Sequence, residues 1–507
     1  MIKYLIFTLL VTTCCLEASS QKKNATGNAA ISSSFDAYIQ NAMPLWKTPG
    51  LSVVVVKDGN VVFKKGYGVI ELGKPDPFTT TTLSLCASTT KAMTAVCMAM
   101  LVDDGKIKWS DKVSDVFPEL KLYDNYANTE ITIKDLFTHN TGLGNADWLW
   151  ILGVPVDSII RKMRLLKPEY SLRSSFVYQN LMYMVAGEVI HKVSGKPFDQ
   201  FISERLFKPL DMQHTYPSYA LSVNEPKHIS PHYIFDDTIV KPIPLIDVTG
   251  IDAAGGVWSS ADDINKWMLF LLDSAKVNGV RLLKPATYAA LFKPESMCGA
   301  DFYPTAKLTK PHWTTYGLGW FQQDYHGQMV NFHTGSLDGA VAICGLINDA
   351  HFGIYVFGNL DHSEIRHALM YKAMDLWVFG DDKNDWSTDF YKMYKEVKAG
   401  VKKEEVDFEA KRVTDTKPSL ALKEYAGKYH HEVYGDAVIL NNADSLTLQY
   451  PNNIHVNLSP WHYDTFLGRF DYEWYGKDWL TFKIDAEGKV ASFTFIGIEY
   501  LKEGEEK

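Results

Sequence analysis

Two runs of β-branched residues, Leu51-Ser-Val-Val-Val-Val-Lys57 and Val61-Val-Phe63, flank Asp58-Gly59. That arrangement predicts a β-hairpin around an Asp-Gly turn. Before it, residues 33–43 alternate apolar and polar at helical spacing, and 21–32 read as a flexible leader. An apolar helical run follows Ser88 and stops at Gly105. A short helix over 131–139 enters a glycine turn, a longer one starts after Asn180 and stops at Gly195, and further helices are expected at 197–206, 259–273 and 285–292. Strand patterns then return at 316–320, 328–333, 340–347 and 353–357. Strands, then mostly helices, then strands predict one α+β domain over 33–388 whose sheet is completed by both ends. A charged, helical linker is expected over 389–417. Residues 418–507 hold short alternating runs separated by Gly, Asn and Asp, the pattern of a small all-β barrel or sandwich.

Composition changes this picture in three places. A chain of 507 residues with 46% hydrophobic and 22% charged residues has room for a large core and a second, smaller unit. Its net charge of −9, without a basic patch interleaved with aromatics, argues against nucleic acid as a partner. The N-terminus carries one lysine, an apolar run too short to span a bilayer, and small residues at Ala18 and Ser20. Residues 1–20 therefore read as a secretory signal cut near Ser20/Gln21, which places the mature protein outside the cell or in a periplasm and leaves it no transmembrane segment. Thr13 before Cys14 fits a lipoprotein signal poorly. The remaining Cys86, Cys97, Cys298 and Cys344 are far apart and show no zinc spacing; one disulfide is compatible with export, and the sequence assigns none. Sequons stand at Asn24 and Asn457.

Candidate chemistry starts at Ser88. Lys91 lies three residues on, so in a helix both side chains share a face about 5–6 Å apart at Cβ. The serine sits where free N–H groups and the helix dipole favour negative charge. The same spacing at Ser19/Lys22 and Ser20/Lys23 shows that it carries little alone, and a capping serine with a surface lysine reads equally well. No Gly-x-Ser-x-Gly elbow occurs, which disfavours an α/β-hydrolase triad, and the fifteen histidines form no metal-ligand cluster. No metal or cofactor is called for.

Two more motifs follow in order, Tyr178-Gln-Asn180 and His333-Thr-Gly335. Tyr-x-Asn also occurs at Tyr123, Tyr126 and Tyr450, but only Tyr178 precedes a long helix. Leu136-Phe-Thr-His139-Asn-Thr-Gly142-Leu143 lies between Lys91 and Tyr178, and Ala254-Gly-Gly-Val-Trp-Ser-Ser-Ala-Asp-Asp263 between Asn180 and His333. Together these segments, over residues 33–380, resemble the serine β-lactamase and penicillin-binding-protein superfamily, in its class C β-lactamase-like branch. The C-terminal part resembles the lipocalin-like β-domain carried by some members. The resemblance implies an antiparallel sheet flanked by helices, with a helical subdomain.

It also implies roles. Ser88 would be the acylated nucleophile, with Lys91 and Tyr178 sharing the proton work, a nearby ammonium favouring Tyr178 phenolate. The N–H groups of Ser88 and Ser336 would form the oxyanion hole. Asn180, His333, Thr334 and Gly335 would bind substrate, and His139 and Gly142 would shape a turn. The third motif departs from the family's lysine at His333, which weakens recognition of substrate carboxylates. Trp148, Trp150, Trp313, Tyr316 and Trp320 fit either a substrate cleft or the core. The expected function is a secreted serine hydrolase of ester, amide or D-amino-acid peptide substrates. The rival is a secreted binding or extracellular-matrix protein that keeps the fold with incidental activity.

Overall fold

The computed structural model describes residues 28–299, 302–442 and 444–504. The expected signal segment and residues 21–27 lie outside the described residues. Residues 28–46 form the first helix, α1. A leader reaching residue 32 is thus corrected: Ile31 packs on the core and Ser32 Oγ donates to Val62 O at 3.1 Å, tying the first turn down.

The main sheet has eight strands. They are β1 (Gly50–Lys57), β2 (Asn60–Gly68), β3 (Ser296–Met297), β4 (Thr314–Tyr316), β5 (Phe321–Tyr325), β6 (Gln328–Leu337), β7 (Ala340–Ile347) and β8 (Phe352–Gly358). Their order is β2-β1-β8-β7-β6-β5-β4-β3, antiparallel throughout. Asp58 and Gly59, at φ 50° and 76°, supply the left-handed pair that a tight hairpin between twisted strands needs. β1 pairs with β8 from Leu51 opposite Gly358 to Lys57 opposite Phe352, so the two ends of the domain do close one sheet. The expected strand 316–320 ends at Tyr316, because Gly319 at φ 83° turns the chain against Ala92.

Helices cover both faces, which is why β1 is apolar at nearly every position. Besides α1 these are α2 (Thr90–Asp103), α3 (Leu181–Ser194), α4 (Ala261–Leu272), α5 (Ile365–Met374) and α6 (Trp386–Glu409). Side-chain alternation divides the core. Val53 and Val55 join Phe35 of α1, Leu369 of α5 and Phe390 of α6, whereas Val54 and Val56 join Met93 of α2, Val185 of α3 and Trp267 of α4.

α6 leads to a closed barrel, β9 (Gly427–His431), β10 (Gly435–Asn441), β11 (Leu446–Tyr450), β12 (Ile454–His462), β13 (Thr465–Phe470), β14 (Lys477–Ile484), β15 (Val490–Phe495) and β16 (Ile498–Lys502). Closure pairs β16 with β9 and leaves no free edge. Among the described residues no helix is long and apolar enough to cross a membrane.

Candidate active site

α2 is buried from Thr90 to Leu101 on all sides, as its Ala-, Met- and Val-rich sequence demands. It ends in a Schellman arrangement: Lys106 N–H reaches Leu101 O at 3.0 Å, Gly105 N–H reaches Val102 O at 3.0 Å, and Gly105 takes φ 71°. Ser88 lies just ahead of it, in the tight turn Ala87–Thr89, and is partly exposed. Ala87 holds φ 46°, a left-handed conformation that costs a non-glycine residue about 1–2 kcal/mol. The turn is pinned by Cys86 N–H to Val257 O at 2.9 Å and Thr89 Oγ1 to Cys86 O at 2.9 Å.

Lys91, on the first turn of α2, is fully buried. Its Nζ lies 3.2 Å from Ser88 Oγ, 2.6 Å from Asn180 Oδ1 and 2.9 Å from Ala254 O. Burial brings its pKa down to about 7, against the opposing pull of Asp147. A neutral Lys91 has two N–H donors and one lone pair. Those donors suit the Asn180 and Ala254 oxygens, and the lone pair then faces the Ser88 hydroxyl. Asn180 Nδ2 in turn donates to Asp147 Oδ2 at 2.9 Å, so a carboxylate stands one amide away from the amine.

Tyr178 lies beside this pair, its ring centroid 4.9 Å from Lys91 Nζ. The His139–Gly142 turn holds its segment: Val177 N–H donates to His139 O at 3.0 Å and Gln179 N–H to His139 Nδ1 at 3.3 Å. Tyr178 Oη is buried without a hydrogen-bond partner. Burial pushes its pKa well above the ordinary phenol value, with the neighbouring Ser88 hydroxyl pulling the other way. The environment therefore opposes the phenolate expected from the sequence.

β6 brings the third motif to Ser88. A Cβ on Gly335 would stand 2.3 Å from Cys86 O and 2.9 Å from Ala87 Cβ, so only glycine lets the strand touch the turn. Ser336 follows directly, and Arg366 Nη1 bonds both Gly335 O (2.5 Å) and Ser336 Oγ (2.7 Å). Arg366 is buried and paired with Glu364 at 2.7 Å, which also meets His367 Nδ1 at 2.5 Å. Thr334 Oγ1 shares a hydrogen bond of 2.7 Å with Tyr303 Oη. His333 is buried; Thr334 O at 2.6 Å can only accept, so Nδ1 carries the proton and Nε2 accepts from Tyr316 O–H at 2.9 Å. Burial, reinforced by the Lys91 charge, lowers its pKa to about 3, and the ring stays neutral. The structure thus places His333 behind Tyr316, with both ring nitrogens occupied by the protein.

The short helical turn Asp252–Gly255 supplies Ala254 O to Lys91 and Ala253 O to Thr94 Oγ1 at 2.6 Å. Asp252 Oδ1 is buried and unpartnered, and burial raises its pKa to about 7. A folded pKa above the unfolded value means stability that is full in acid and lost as pH climbs through the folded pKa. Titration from 3.8 to about 7 costs the fold about 2–3 kcal/mol between pH 5 and 8. Urea unfolding of Asp252→Asn should lack that part of the parent's pH slope; equal slopes would show that Asp252 does not titrate across this window.

Several participants were not marked by any motif. Asp147 is one. Its neighbour Trp148 sets its ring edge against Tyr450 and Phe470 of the barrel, with centroids 5.4 and 6.1 Å away. From the other side, Trp474 Nε1 donates to Asp338 Oδ2 at 2.6 Å, two residues beyond Ser336. Of the five candidate cleft aromatics, Tyr316 and Trp320 are core, Trp148 joins the barrel, and Trp150 lines a cleft of about 120 Å³ with Ile246, Tyr472, Trp474 and Tyr475. Trp313 is partly exposed beside β4. The four described cysteines are free and buried. Among the described residues one set of groups could meet on a single metal ion, His430, Asp436 and Glu503, all exposed on the barrel.

Comparison with known proteins identifies the family and the fold. The family model for beta-lactamase matches residues 35–376, and that of a domain of unknown function (DUF3471) matches residues 411–503. The unguisins hydrolase ungD' of Aspergillus campestris (strain IBT 28561) is 28% identical over 424 residues, covering 80% of this chain and 77% of its own. Protein flp of Staphylococcus aureus (strain MRSA252) is 26% identical over 332 residues, 64% of this chain and 62% of its own. The octameric penicillin-binding protein homologue from Pyrococcus abyssi shares the fold with a TM-score of 0.61 at 20% identity, covering 93% of this chain and 99% of that one. SurE shares it with a TM-score of 0.57 at 16% identity, covering 94% and 100%.

Proposed function

The chain belongs to the beta-lactamase family, and we propose that it is an exported serine hydrolase that works through a Ser88 acyl-enzyme. The observation that carries this is Lys91: fully buried, 3.2 Å from Ser88 Oγ, with a pKa of about 7. A buried amine that is half neutral at physiological pH is a general base matched to its task.

In this reading Lys91 takes the Ser88 proton as Oγ attacks the substrate carbonyl. The N–H groups of Ser88 and Ser336 face the tetrahedral oxyanion. The proton passes from Lys91 through the Tyr178 hydroxyl, which has no competing partner, to the leaving amine or alkoxide. Water then enters, Lys91 and Tyr178 run the proton path in reverse, and the acid is released. Tyr178 acts as a neutral relay and Lys91 is the base. Asn180 orients Lys91 through its Oδ1. Thr334 and Gly335 present the strand edge to substrate, and His333 holds Tyr316.

Peptide and amide substrates, those with D-residues included, are favoured over simple esters. The support is the fungal relative, an unguisins hydrolase, and the solved complex of SurE with D-Leu. Export rests on the pattern of residues 1–20. Incubation of the purified protein with a panel of D- and L-peptides, esters and a penicillin, read by intact mass, should show a substrate-derived adduct on Ser88 and a mature chain starting at Gln21. A folded protein that takes up no adduct from any of them, nor from a fluorophosphonate, would instead be a binding protein on this fold.

A further inference from the structure

The barrel and the proton relay meet in two consecutive residues. Asp147 Oδ2 accepts from Asn180 Nδ2 at 2.9 Å and from Asn145 Nδ2 at 3.1 Å, and Asn180 passes the contact to Lys91 Nζ at 2.6 Å. Trp148 points the other way, between Tyr450 at the end of β11 and Phe470 at the end of β13. The same loop is held twice more. Leu152 is buried in the barrel core, and Asn452 Nδ2 donates to Ile151 O at 3.0 Å. The loop's own hold is local: Asn145 Oδ1 accepts from Asp147 N–H at 2.9 Å and Leu149 is buried in the first domain's core, while the four-residue turn Trp148–Ile151 is too short to be stable alone.

We propose that Trp148 is a positioning residue through which the barrel holds Asp147 against Asn180 and so fixes the negative charge that faces Lys91. The barrel is then part of the catalytic assembly, acting through the loop without touching the reacting atoms. This rests on Lys91 being the base.

The other titratable groups around Lys91 do not compete for that role. The amine lies over the rings of Tyr178 and Tyr183, both with pKa values raised by burial. His139 and His333 also face it, and burial together with the Lys91 charge keeps both rings neutral. α2 contributes no other charged side chain near its first turn. Asp147 is the opposite charge that raises Lys91 against its burial. Weakening that contact lets the pKa fall, and the acid limb of the rate profile, which follows deprotonation of Lys91, moves to lower pH.

The test is the pH profile of kcat/KM on one amide or ester substrate for the parent, Asp147→Asn, Trp148→Ala, Trp148→Phe and, from the barrel side, Phe470→Leu. The parent limb should lie near pH 7. It should move down by about half a unit to one unit in D147N and W148A, by less in F470L, and return toward the parent in W148F. The D147N/W148A double variant should move no further than D147N alone. Trp148 and Phe470 variants that lose rate equally at every pH, with the limb in place, would make the barrel a stabiliser only and overturn the proposal; so would a limb that D147N leaves unmoved. A parent with no acid limb would remove the assignment of Lys91 as base, and this proposal with it.

Discussion

Replacement of Ser88 by alanine is expected to lower kcat by about 10⁶-fold, with the fold intact. Removal of a nucleophile from an assembled site leaves only oxyanion stabilisation and binding, which accounts for losses of that size. The substitution removes one partly exposed hydroxyl, whose partner Lys91 Nζ keeps Asn180 and Ala254. Thermal unfolding of S88A should therefore stay close to that of the parent, and the lost rate is catalytic. Turnover of a chromogenic ester by S88A within tenfold of the parent would place the nucleophile elsewhere.

The second large effect belongs to Lys91, and here two variants separate two explanations. Lys91→Met removes base and charge, and Lys91→Arg keeps the charge and its donors but cannot give up a proton near neutral pH. If Lys91 is the base, both fall by about 10²–10⁴-fold, the range of a lost general base. If the residue serves only as a cation, K91R keeps most of the rate. In the parent, activity should rise with pH through about 7, since burial has lowered Lys91 to that value and the neutral amine is the active form. The sign is diagnostic: an essential ammonium would make activity fall over the same interval. Single-turnover acylation across pH 5 to 9 measures it without interference from product release.

The candidate site residues were legible through the ordered set of motifs that carries the family resemblance, and each lies at a fixed offset from a structural marker. Ser88 precedes an apolar helical run that Gly105 stops, Tyr178 and Asn180 precede another that Gly195 stops, and Gly335 marks a strand that must approach a backbone. The hairpin and the apolar strands were legible for the same reason, since β-branched runs ending at Asp58-Gly59 admit few other structures. Asp147 was invisible. One aspartate in a loop has no spacing to give it away, and its meaning comes from Asn180, distant in sequence, which it meets only in the fold. Trp148 was read as cleft or core and Trp474 not at all, because aromatic residues look alike in clefts, cores and domain contacts. The proton balance between Lys91 and Tyr178 was also out of reach. It depends on burial of both groups, which a local pattern does not encode, and that burial opposes the phenolate the resemblance implied. The choice between barrel and sandwich depended on one pairing, β16 with β9, between segments at opposite ends of the domain.

The pairing of β1 with β8 also sets a timetable for synthesis. Val53 to Val56 leave the ribosome about 300 residues before the strand that covers their second edge, and at about 5–20 residues per second that is a wait of roughly 15–60 seconds. Through that interval the nascent chain carries a run of four valines with one open edge, the kind of segment that recruits other chains, with Lys57 and Asp58 at its end and Lys64 and Lys65 on the paired strand as the nearest charges. Ser88 is likewise made long before Ser336 arrives beside it. On the proposed mechanism the chain is inert until nearly its whole first domain has emerged, and its yield in cells should depend on holdase chaperones more than its finished stability would indicate.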